Sequence, residues 1–501
     1  MVNFLDVELS QNKMLAFFGV AVFIFVFPLI LVDHFYTDDS LRALTAGMGW
    51  KEQGRILAEW LYQGLSFTRA APNIFPLPLL IASMAMSFAL RALTNCFFLK
   101  PTLASCLVVL PLWYSPFFLQ NLSYQYDGPA MALGVVAVIY AVAFRHPSVI
   151  VQTVVSALCI AIGLSLYQIV INIYLGLCCV ELIRAANECK KSPVRFTIIR
   201  DRLLQLLLGL AFYWLTAYQL ITNSRAVFRE FNGGWVEKLL SDLYSTGQRV
   251  ALLYNDGNAW LCWTLLIMAC AGFGQVIYRL LRMRASLWYR VVFGGLCVLA
   301  VALALVSIPG LALVFGYYNY DARLMMGASS AFVLIFYLNY QILTTAHPRL
   351  AGLLIIPVIA MLSFSYAYGR VMTVQKELLT SVAQNISYEV MSNKDLKGVE
   401  RYYMIINYRN SWLVGADGSY RLIPALRYVL NVGFLFFPEL ITRNTGVTNV
   451  IYADGNGYEY IKELVVKEKA LVNNKFYSIY VDGVEAYIVM NDLSPDDVVH
   501  Y

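Results

Sequence analysis

Two adjacent carboxylates, Asp38 and Asp39, lie in the first polar stretch of the sequence, a few residues after a long apolar run. A carboxylate at the edge of a membrane span can deprotonate an incoming hydroxyl group or coordinate a cation. Neighbouring side chains point in different directions, so we expect one acid to face the membrane surface while the other binds or orients a ligand. The alternative is structural, because either acid could be the N-cap of a helix that begins near Leu41.

A third acid, Asp127, ends a short polar turn between two later apolar runs, beside Tyr124 and Tyr126. An acid at this place could join the first-loop acids across the mouth of a helix bundle. The alternative is again a helix N-terminus, because Pro129 follows two residues later and proline favours the first turn of a helix. The residues by themselves leave both interpretations open.

Three arginines in the polar stretches, Arg42, Arg55 and Arg323, are candidates for binding an anion. A guanidinium group can bind a phosphate through two parallel hydrogen bonds. Arg55 precedes an amphipathic segment in which Glu59 is four residues away and Trp60 lies on the apolar face. We therefore expect an interfacial helix with an Arg55–Glu59 pair. The alternatives are a simple surface helix and, for Arg323, an ion pair with its neighbouring acid.

Tyr317, Tyr318 and Tyr320 precede Arg323. Tyrosine rings can stack on sugar rings, but they also form aromatic belts at membrane surfaces. The sequence contains no P-loop, dinucleotide fingerprint, GxSxG or HExxH motif, so the enzyme classes that depend on them are not expected.

These residues must be positioned by membrane helices. The chain has 501 residues, of which 59% are hydrophobic and 14% charged, whereas soluble proteins carry about 25% charged residues. Apolar stretches near the length of a membrane span recur along the chain, so we predict an all-α polytopic membrane bundle with about 11 transmembrane helices. The predicted spans are 14–32, 74–92, 101–120, 128–144, 149–166, 169–186, 203–221, 259–280, 291–315, 324–343 and 350–368.

Two basic loops, 184–202 and 279–290, orient this bundle. Cytoplasmic loops are enriched in Lys and Arg, so we expect both loops and the N-terminus inside and the C-terminus outside. These loops also explain the net charge of +6 better than a nucleic-acid partner does. We predict two domains: residues 1–369, a bundle with an outer first loop at 33–73, and residues 370–501, a small outer α+β domain.

The predicted C-terminal domain has its own local signals. The apolar spacing of residues 371–391 predicts a helix, and residues 402–408 and 475–490 are rich in β-branched and aromatic side chains. The Asp-Gly pair at Asp482 and Gly483 predicts a β-hairpin between two strands.

The polar segments resemble a known family, the serotype-converting O-antigen glucosyltransferases (the Gtr family) of enteric bacteria and their phages. The resemblance rests on the many spans, the long first outer loop and the large outer tail, together with short motifs at Phe35–Arg42, Gly54-Arg55, Glu59-Trp60, Tyr124–Asp127 and Asn319–Arg323. The family is of the GT-C type and uses polyprenyl-phosphate sugars as donors. The resemblance implies transfer of glucose or a similar hexose from undecaprenyl phosphate to lipid-linked O-antigen in the periplasm of the bacterial inner membrane.

The resemblance also implies roles for the candidate residues. Asp38 or Asp39 would be the general base, the other would position the acceptor, and Asp127 would assist. The candidates for the donor phosphate are Arg42, Arg55 and Arg323, and those for the acceptor glycan are Tyr126, Tyr317 and Tyr320. The tail would bind the acceptor, although it is longer than the family pattern. No metal or other cofactor is expected to be obligatory, and a divalent cation held by Asp38 and Asp39 is the alternative.

Two other functions are compatible with a polytopic membrane protein. Proline-broken spans are typical of transporters, which makes a lipid-linked sugar flippase one alternative. A non-enzymatic envelope glycan-assembly protein, with the tail as its binding module, is the other. Ionisable residues are nearly absent from the span interiors, whereas ion and proton pathways require them. This pattern favours chemistry at the membrane surface.

Overall fold

The computed structural model describes residues 7–188, 196–222, 227–230, 233–316, 319–406, 413–430, 437–453, 459–461, 463–464 and 469–491. Within these ranges the chain is mostly helical. In chain order the α-helices are α1 (Gln11–Val32), α2 (Asp39–Thr45), α3 (Ile56–Ser66), α4 (Leu77–Phe97), α5 (Leu103–Val109), α6 (Pro111–Tyr114), α7 (Phe118–Ser123), α8 (Asp127–Ala143), α9 (Val149–Leu166), α10 (Ile171–Glu188), α11 (Thr197–Leu215), α12 (Trp235–Ala251), α13 (Ala259–Leu281), α14 (Leu287–Val306), α15 (Ala328–Ala346), α16 (Ile355–Ser392), α17 (Asp417–Leu422), α18 (Ala425–Leu430) and α19 (Phe437–Thr445). The strands are β1 (Arg401–Ile405), β2 (Val450–Tyr452), β3 (Val472–Asn473), β4 (Tyr477–Asp482) and β5 (Glu485–Met490).

Eight of the described helical segments are long and apolar enough to cross a membrane. They correspond to α1, α4, α9, α10, α11, α13, α14 and α16. The chain is therefore a multi-pass membrane protein, as its composition predicts. The predicted count of about 11 spans is not confirmed, because the fourth and tenth predicted spans correspond to α8 and α15, which are not among the eight.

The third predicted span, residues 101–120, is not a single helix. Three short helices, α5, α6 and α7, replace it, with Pro111 at the start of α6 and Pro116 just before α7. Proline has no backbone N–H to donate and does not continue a preceding helix. Every residue from 104 to 132 is buried, so this broken segment lies inside the bundle, where protein groups can satisfy its backbone.

Close helix crossings set the geometry of the bundle. At the contact between α8 and α9, a Cβ on Gly163 would lie 3.2 Å from the carbonyl oxygen of Gly134. At the contact between α1 and α16, a Cβ on Gly369 would lie 2.5 Å from the Cβ of Pro28. Small residues at such points allow helix backbones to approach closely in a membrane.

The sheet near the C-terminus has the strand order β2-β1-β5-β4-β3. β1 runs parallel to both β2 and β5, and β4 pairs antiparallel with β5. The last pair of the hairpin joins Asp482 to Glu485 across Gly483, which has a φ of 61°. This pairing confirms the predicted hairpin. Glycine suits the turn because it adopts this left-handed conformation without strain. One face of the sheet packs against α16 and α19.

Two features connect the C-terminal residues to the bundle. α16 runs without a break over 38 residues, so one helix contains both the last predicted span and the predicted tail helix. α17 and α18 belong to the hydrophobic core of the bundle, and Ala425, Leu426 and Val429 on α18 are fully buried. This part of the predicted C-terminal domain therefore packs with the bundle rather than with the sheet, and the division at residue 370 stays a prediction.

Candidate active site

The first loop between α1 and α4 carries the adjacent acids at the start of α2. The helix begins at Asp39, two residues earlier than the sequence predicts. Asp38 occupies the N-cap position, but its side chain makes no capping hydrogen bond. A capping role therefore does not account for the Asp38 carboxylate.

Asp39 faces the protein interior. Its Oδ2 accepts hydrogen bonds from the backbone N–H groups of Tyr36 (3.0 Å) and Gln125 (2.8 Å), and its Oδ1 accepts one from Tyr126 (3.3 Å). The residue is fully buried, and burial and the charge of Asp38 raise the pKa of its carboxyl well above the usual value. Asp39 thus ties the first loop to the turn before α8.

Asp38 faces the open side of the same loop. Its side chain is 29% exposed, and its Oδ2 lies 3.3 Å from Nε of Arg42. Its Oδ1 accepts a hydrogen bond from the Thr37 hydroxyl at 3.2 Å. Burial and the charge of Asp127 raise the pKa of the Asp38 carboxyl, while Arg42 opposes that increase. The result is an accessible carboxylate whose pKa lies above that of an ordinary aspartate.

Asp127 joins the first-loop acids, which is one of the two interpretations that the sequence leaves open. It is the first residue of α8, and it is buried. Its Oδ1 accepts hydrogen bonds from Nε1 of Trp50 (3.0 Å) and a terminal nitrogen of Arg55 (2.8 Å). Its Oδ2 lies 3.4 Å from Nε of Arg42. Because Arg42 also contacts Asp38, one guanidinium group connects the two acids.

Arg55 has a different partner from the one predicted. The helix predicted after it is confirmed as α3, but Arg55 pairs with Asp127, and Glu59 instead accepts a hydrogen bond from the backbone of Lys51 at 3.3 Å. The Arg55 guanidinium carbon also lies 4.7 Å from the ring centre of Tyr167. Arg55 thereby supplies a partner for the buried Asp127 carboxylate, which would be costly to leave without one.

Trp50 is a site residue that the sequence reasoning did not single out. Its ring is fully buried, stacks on Tyr62 at 5.2 Å between centroids, and lies 4.3 Å below the guanidinium carbon of Arg42. Its indole N–H donates the hydrogen bond to Asp127 that is described above. The sequence signal that could have identified it is a tryptophan in a polar loop, directly after a glycine.

Arg323 lies close to these acids but outside their network of ion pairs. One terminal nitrogen donates to the Tyr124 hydroxyl at 2.7 Å, and the other lies 3.2 Å from Oδ2 of Asp321. Its charge lowers the pKa of Asp38, against the larger raising effects of burial and Asp127. Its side chain is 33% exposed, compared with 11% for Arg42 and 19% for Arg55. Arg323 is therefore the most accessible of the three candidate arginines.

Two of the three predicted tyrosines, Tyr126 and Tyr320, lie in the described part of the chain and have different partners. Tyr126 is buried against Tyr62, with its ring centre 5.5 Å away. Tyr320 is partly exposed and donates to Oδ1 of Asp242 at 3.2 Å. Tyr317 lies outside the described residues. Their roles in acceptor binding stay predictions.

The arrangement suits proton transfer beside an anion. Asp38 can accept a proton, and Arg323 can bind a negative group near it. The alternative of a cation between Asp38 and Asp39 is poorly supported, because both oxygens of Asp39 already accept backbone hydrogen bonds. In the part of the chain that the structure describes, no cluster of three or more potential metal ligands occurs.

Comparisons with known proteins point to one family. The family model described as glucosyl transferase GtrII matches residues 27–336. An uncharacterized 55.3 kDa protein in the gtrB 5′ region of Salmonella phage P22 is 26% identical over 260 residues, which is 50% of this chain and 52% of the relative. The chain thus spans about half the length of that relative. No solved structure matches.

Proposed function

The chain belongs to the glucosyl transferase GtrII family, and on that premise we propose that it transfers a glucosyl (hexosyl) residue to a glycan. The donor is undecaprenyl-phosphate sugar, and the acceptor is lipid-linked O-antigen. The product is a lipopolysaccharide with a changed serotype. The observation that carries this proposal is the accessible Asp38 carboxylate beside Arg42 and Arg323, inside the segment that matches the family.

The chemistry of such a transfer needs two groups from the protein. The leaving group is already a phosphate, so the enzyme must remove a proton from the incoming hydroxyl group and stabilise the charge on the departing phosphate. A carboxylate and a nearby arginine supply these functions without a cofactor.

Asp38 is the general base in this proposal, and Asp39 is a positioning residue. Asp38 keeps lone pairs available beyond its contacts with Thr37 and Arg42, and its raised pKa brings it closer to the pH at which the reaction runs. Asp39 has no exposed surface and holds three backbone N–H groups. Its contribution is to fix the loop on which Asp38 lies.

Arg323 binds the donor phosphate, and the other two arginines hold the site together. Arg42 and Arg55 already neutralise Asp127, and a phosphate would have to compete with that carboxylate for them. Arg323 has greater exposure, and its partner Asp321 is partly exposed, so that pair is weaker. A phosphate can therefore compete with Asp321 for Arg323.

The membrane placement belongs to the same proposal. The basic loops support an N-terminus in the cytoplasm, with the first loop and the C-terminal residues in the periplasm of a bacterial inner membrane. The donor and acceptor lipids would both reach Asp38 from the outer leaflet. Both substrates of the reaction are thus membrane lipids.

The test is a gain of hexose in living cells. A host that makes a defined O-antigen and supplies undecaprenyl-phosphate glucose receives the wild type, Asp38→Asn or Asp256→Asn. The readout is the mass of the polysaccharide repeat. We expect the wild type and the Asp256→Asn control to add one hexose, because Asp256 is an exposed acid outside both the candidate site and the C-terminal residues. Asp38→Asn should add none at equal abundance in the membrane.

Two outcomes would contradict the proposal. A wild type that adds no hexose, in a host where a known glucosyltransferase does, would argue against transfer to this acceptor. A full gain with Asp38→Asn would remove Asp38 as the base and turn attention to Asp127.

A further inference from the structure

A groove of about 570 Å³ lies between the end of α1 and the middle of α16. The two helices touch where Pro28 meets Gly369, and the groove lies alongside this contact and extends along α16 to Gln384. None of the described residues that line it belongs to the carboxylate site. The groove is therefore a separate feature of the membrane surface.

The lining of this groove combines apolar and charged side chains. Near the close contact it is bordered by Leu31, which is 67% exposed, and by exposed Tyr366. Both belong to candidate membrane spans, so this end is open to lipid. The cation Arg370 directly follows Gly369 at this contact, and Lys376 lies further along α16. Apolar side chains open to lipid, together with two cations, suit a ligand that has both an acyl chain and an anionic group.

The two cations in the lining are available to bind an anion. The Lys376 ammonium donates to the carbonyl oxygen of Val32 at 2.7 Å, so it is held beside the end of α1 with two N–H donors left. Arg370 is exposed on the turn of α16 nearer the membrane. Glu377 is the acid in the lining, which leaves the groove with a net positive charge.

We propose that this groove binds the phosphate headgroup of an anionic phospholipid of the surrounding bilayer. The phosphate contacts Arg370 and Lys376, and an acyl chain follows Leu31 and Tyr366. A soluble anion would gain no binding energy from the apolar side chains of Leu31 and Tyr366. The lipid joins α1 to α16, and α16 continues into the packing of the C-terminal sheet. Bound lipid therefore fixes the C-terminal residues relative to the membrane, independently of any transfer reaction.

The experiment measures lipid retention by the purified full-length chain. Phosphatidylglycerol or phosphatidylcholine is titrated in detergent, and bound lipid is counted by native mass spectrometry. We expect one phosphatidylglycerol to be retained more tightly than phosphatidylcholine. Arg370→Gln with Lys376→Gln should weaken its binding about tenfold, because each partly exposed cation contributes about threefold and the two factors multiply.

Two further variants keep the result interpretable. Arg370→Gln alone leaves the contact between Lys376 and Val32 intact, so the fold is preserved, and it should weaken binding about threefold. Arg349→Gln removes an exposed arginine shortly before the start of α16 and should leave lipid retention unchanged.

Three results would overturn the proposal. The first is equal retention of the two lipids. The second is the same loss with Arg349→Gln as with Arg370→Gln, which would indicate unspecific lipid around the protein. The third is displacement of phosphatidylglycerol by an equimolar polyprenyl phosphate, which would assign the groove to the carrier lipid instead.

Discussion

Replacing the two adjacent acids one at a time separates chemistry from folding. Asp38→Ala removes the proposed base, and a positioned general base contributes about 10²–10⁴-fold to a rate. Transfer should therefore fall by at least about 100-fold. Stability should hardly change, because the lost ion pair with Arg42 is 3.3 Å long and partly exposed, and such pairs contribute about 0–1 kcal/mol.

Asp39→Ala should have the opposite profile. It leaves three buried backbone N–H groups, those of Tyr36, Gln125 and Tyr126, without their acceptor. Each buried donor left unsatisfied costs about 1–3 kcal/mol, so the free energy of unfolding should fall by about 3–9 kcal/mol for the three donors. A loss of that size is a large part of the stability of a typical protein.

The assay needs two readouts on the same preparations. Transfer of hexose is measured in isolated membranes per folded molecule, and thermal unfolding is measured by size-exclusion chromatography of the detergent-solubilised chain after heating. The assignment would be refuted if Asp38→Ala unfolded early while Asp39→Ala stayed as stable as the wild type. It would also be refuted if Asp39→Ala, per folded molecule, lost as much activity as Asp38→Ala.

Three further predictions concern charge at the site. Arg42→Gln should move the acidic limb of the pH–rate profile to higher pH, because Arg42 lowers the pKa of Asp38 and the base works deprotonated. Asp127→Asn should move this limb to lower pH, because Asp127 raises the same pKa. The pH–rate profiles of both variants check these opposite signs, and shifts of both variants in the same direction would contradict them. Arg323→Gln should raise the KM for the lipid-linked donor by about tenfold or more, because a charge-assisted hydrogen bond contributes about 1.5–3 kcal/mol, and an unchanged donor KM would argue against phosphate binding by Arg323. Removal of divalent cations with EDTA should leave transfer unchanged, and recovery on adding Mg²⁺ or Mn²⁺ after a loss would show that a cation is needed.

The sequence predicts those elements that depend on local pattern. Val149–Leu166 is both the predicted fifth span and the bounds of α9, because a long apolar run without proline has no other stable form in a membrane. The hairpin at Asp482 is equally local. The third span fails because Pro111 and Pro116 break the helix inside a buried segment, which hydrophobicity alone does not reveal.

The elements that depend on tertiary contacts are harder to predict. α12 lies between the seventh and eighth predicted spans, where no helix is predicted, and its apolar residues lie along one face of the helix. The burial of α18 in the bundle depends on its contacts with α16 and with α7, and α7 lies far earlier in the chain.

The site also has features that the sequence reveals and features that depend on tertiary contacts. Its acids and arginines are recognisable by type and by their place at the ends of apolar runs. The choice between Asp38 and Asp39 depends on the start of α2, which falls two residues before the predicted position and turns Asp39 inward. The partner of Arg55 depends on how the loop packs against α8, and the sequence offered the nearer Glu59 instead.

The most direct test of the central claim uses the purified chain in vesicles. Undecaprenyl-phosphate glucose with a labelled sugar is supplied with a lipid-linked O-antigen acceptor, and the label is followed by chromatography of the lipids. The account predicts that the label moves covalently to the acceptor with the wild type and stays on the donor with Asp38→Asn. Movement of intact labelled donor across the membrane without transfer, or transfer by Asp38→Asn at the wild-type rate, would contradict it.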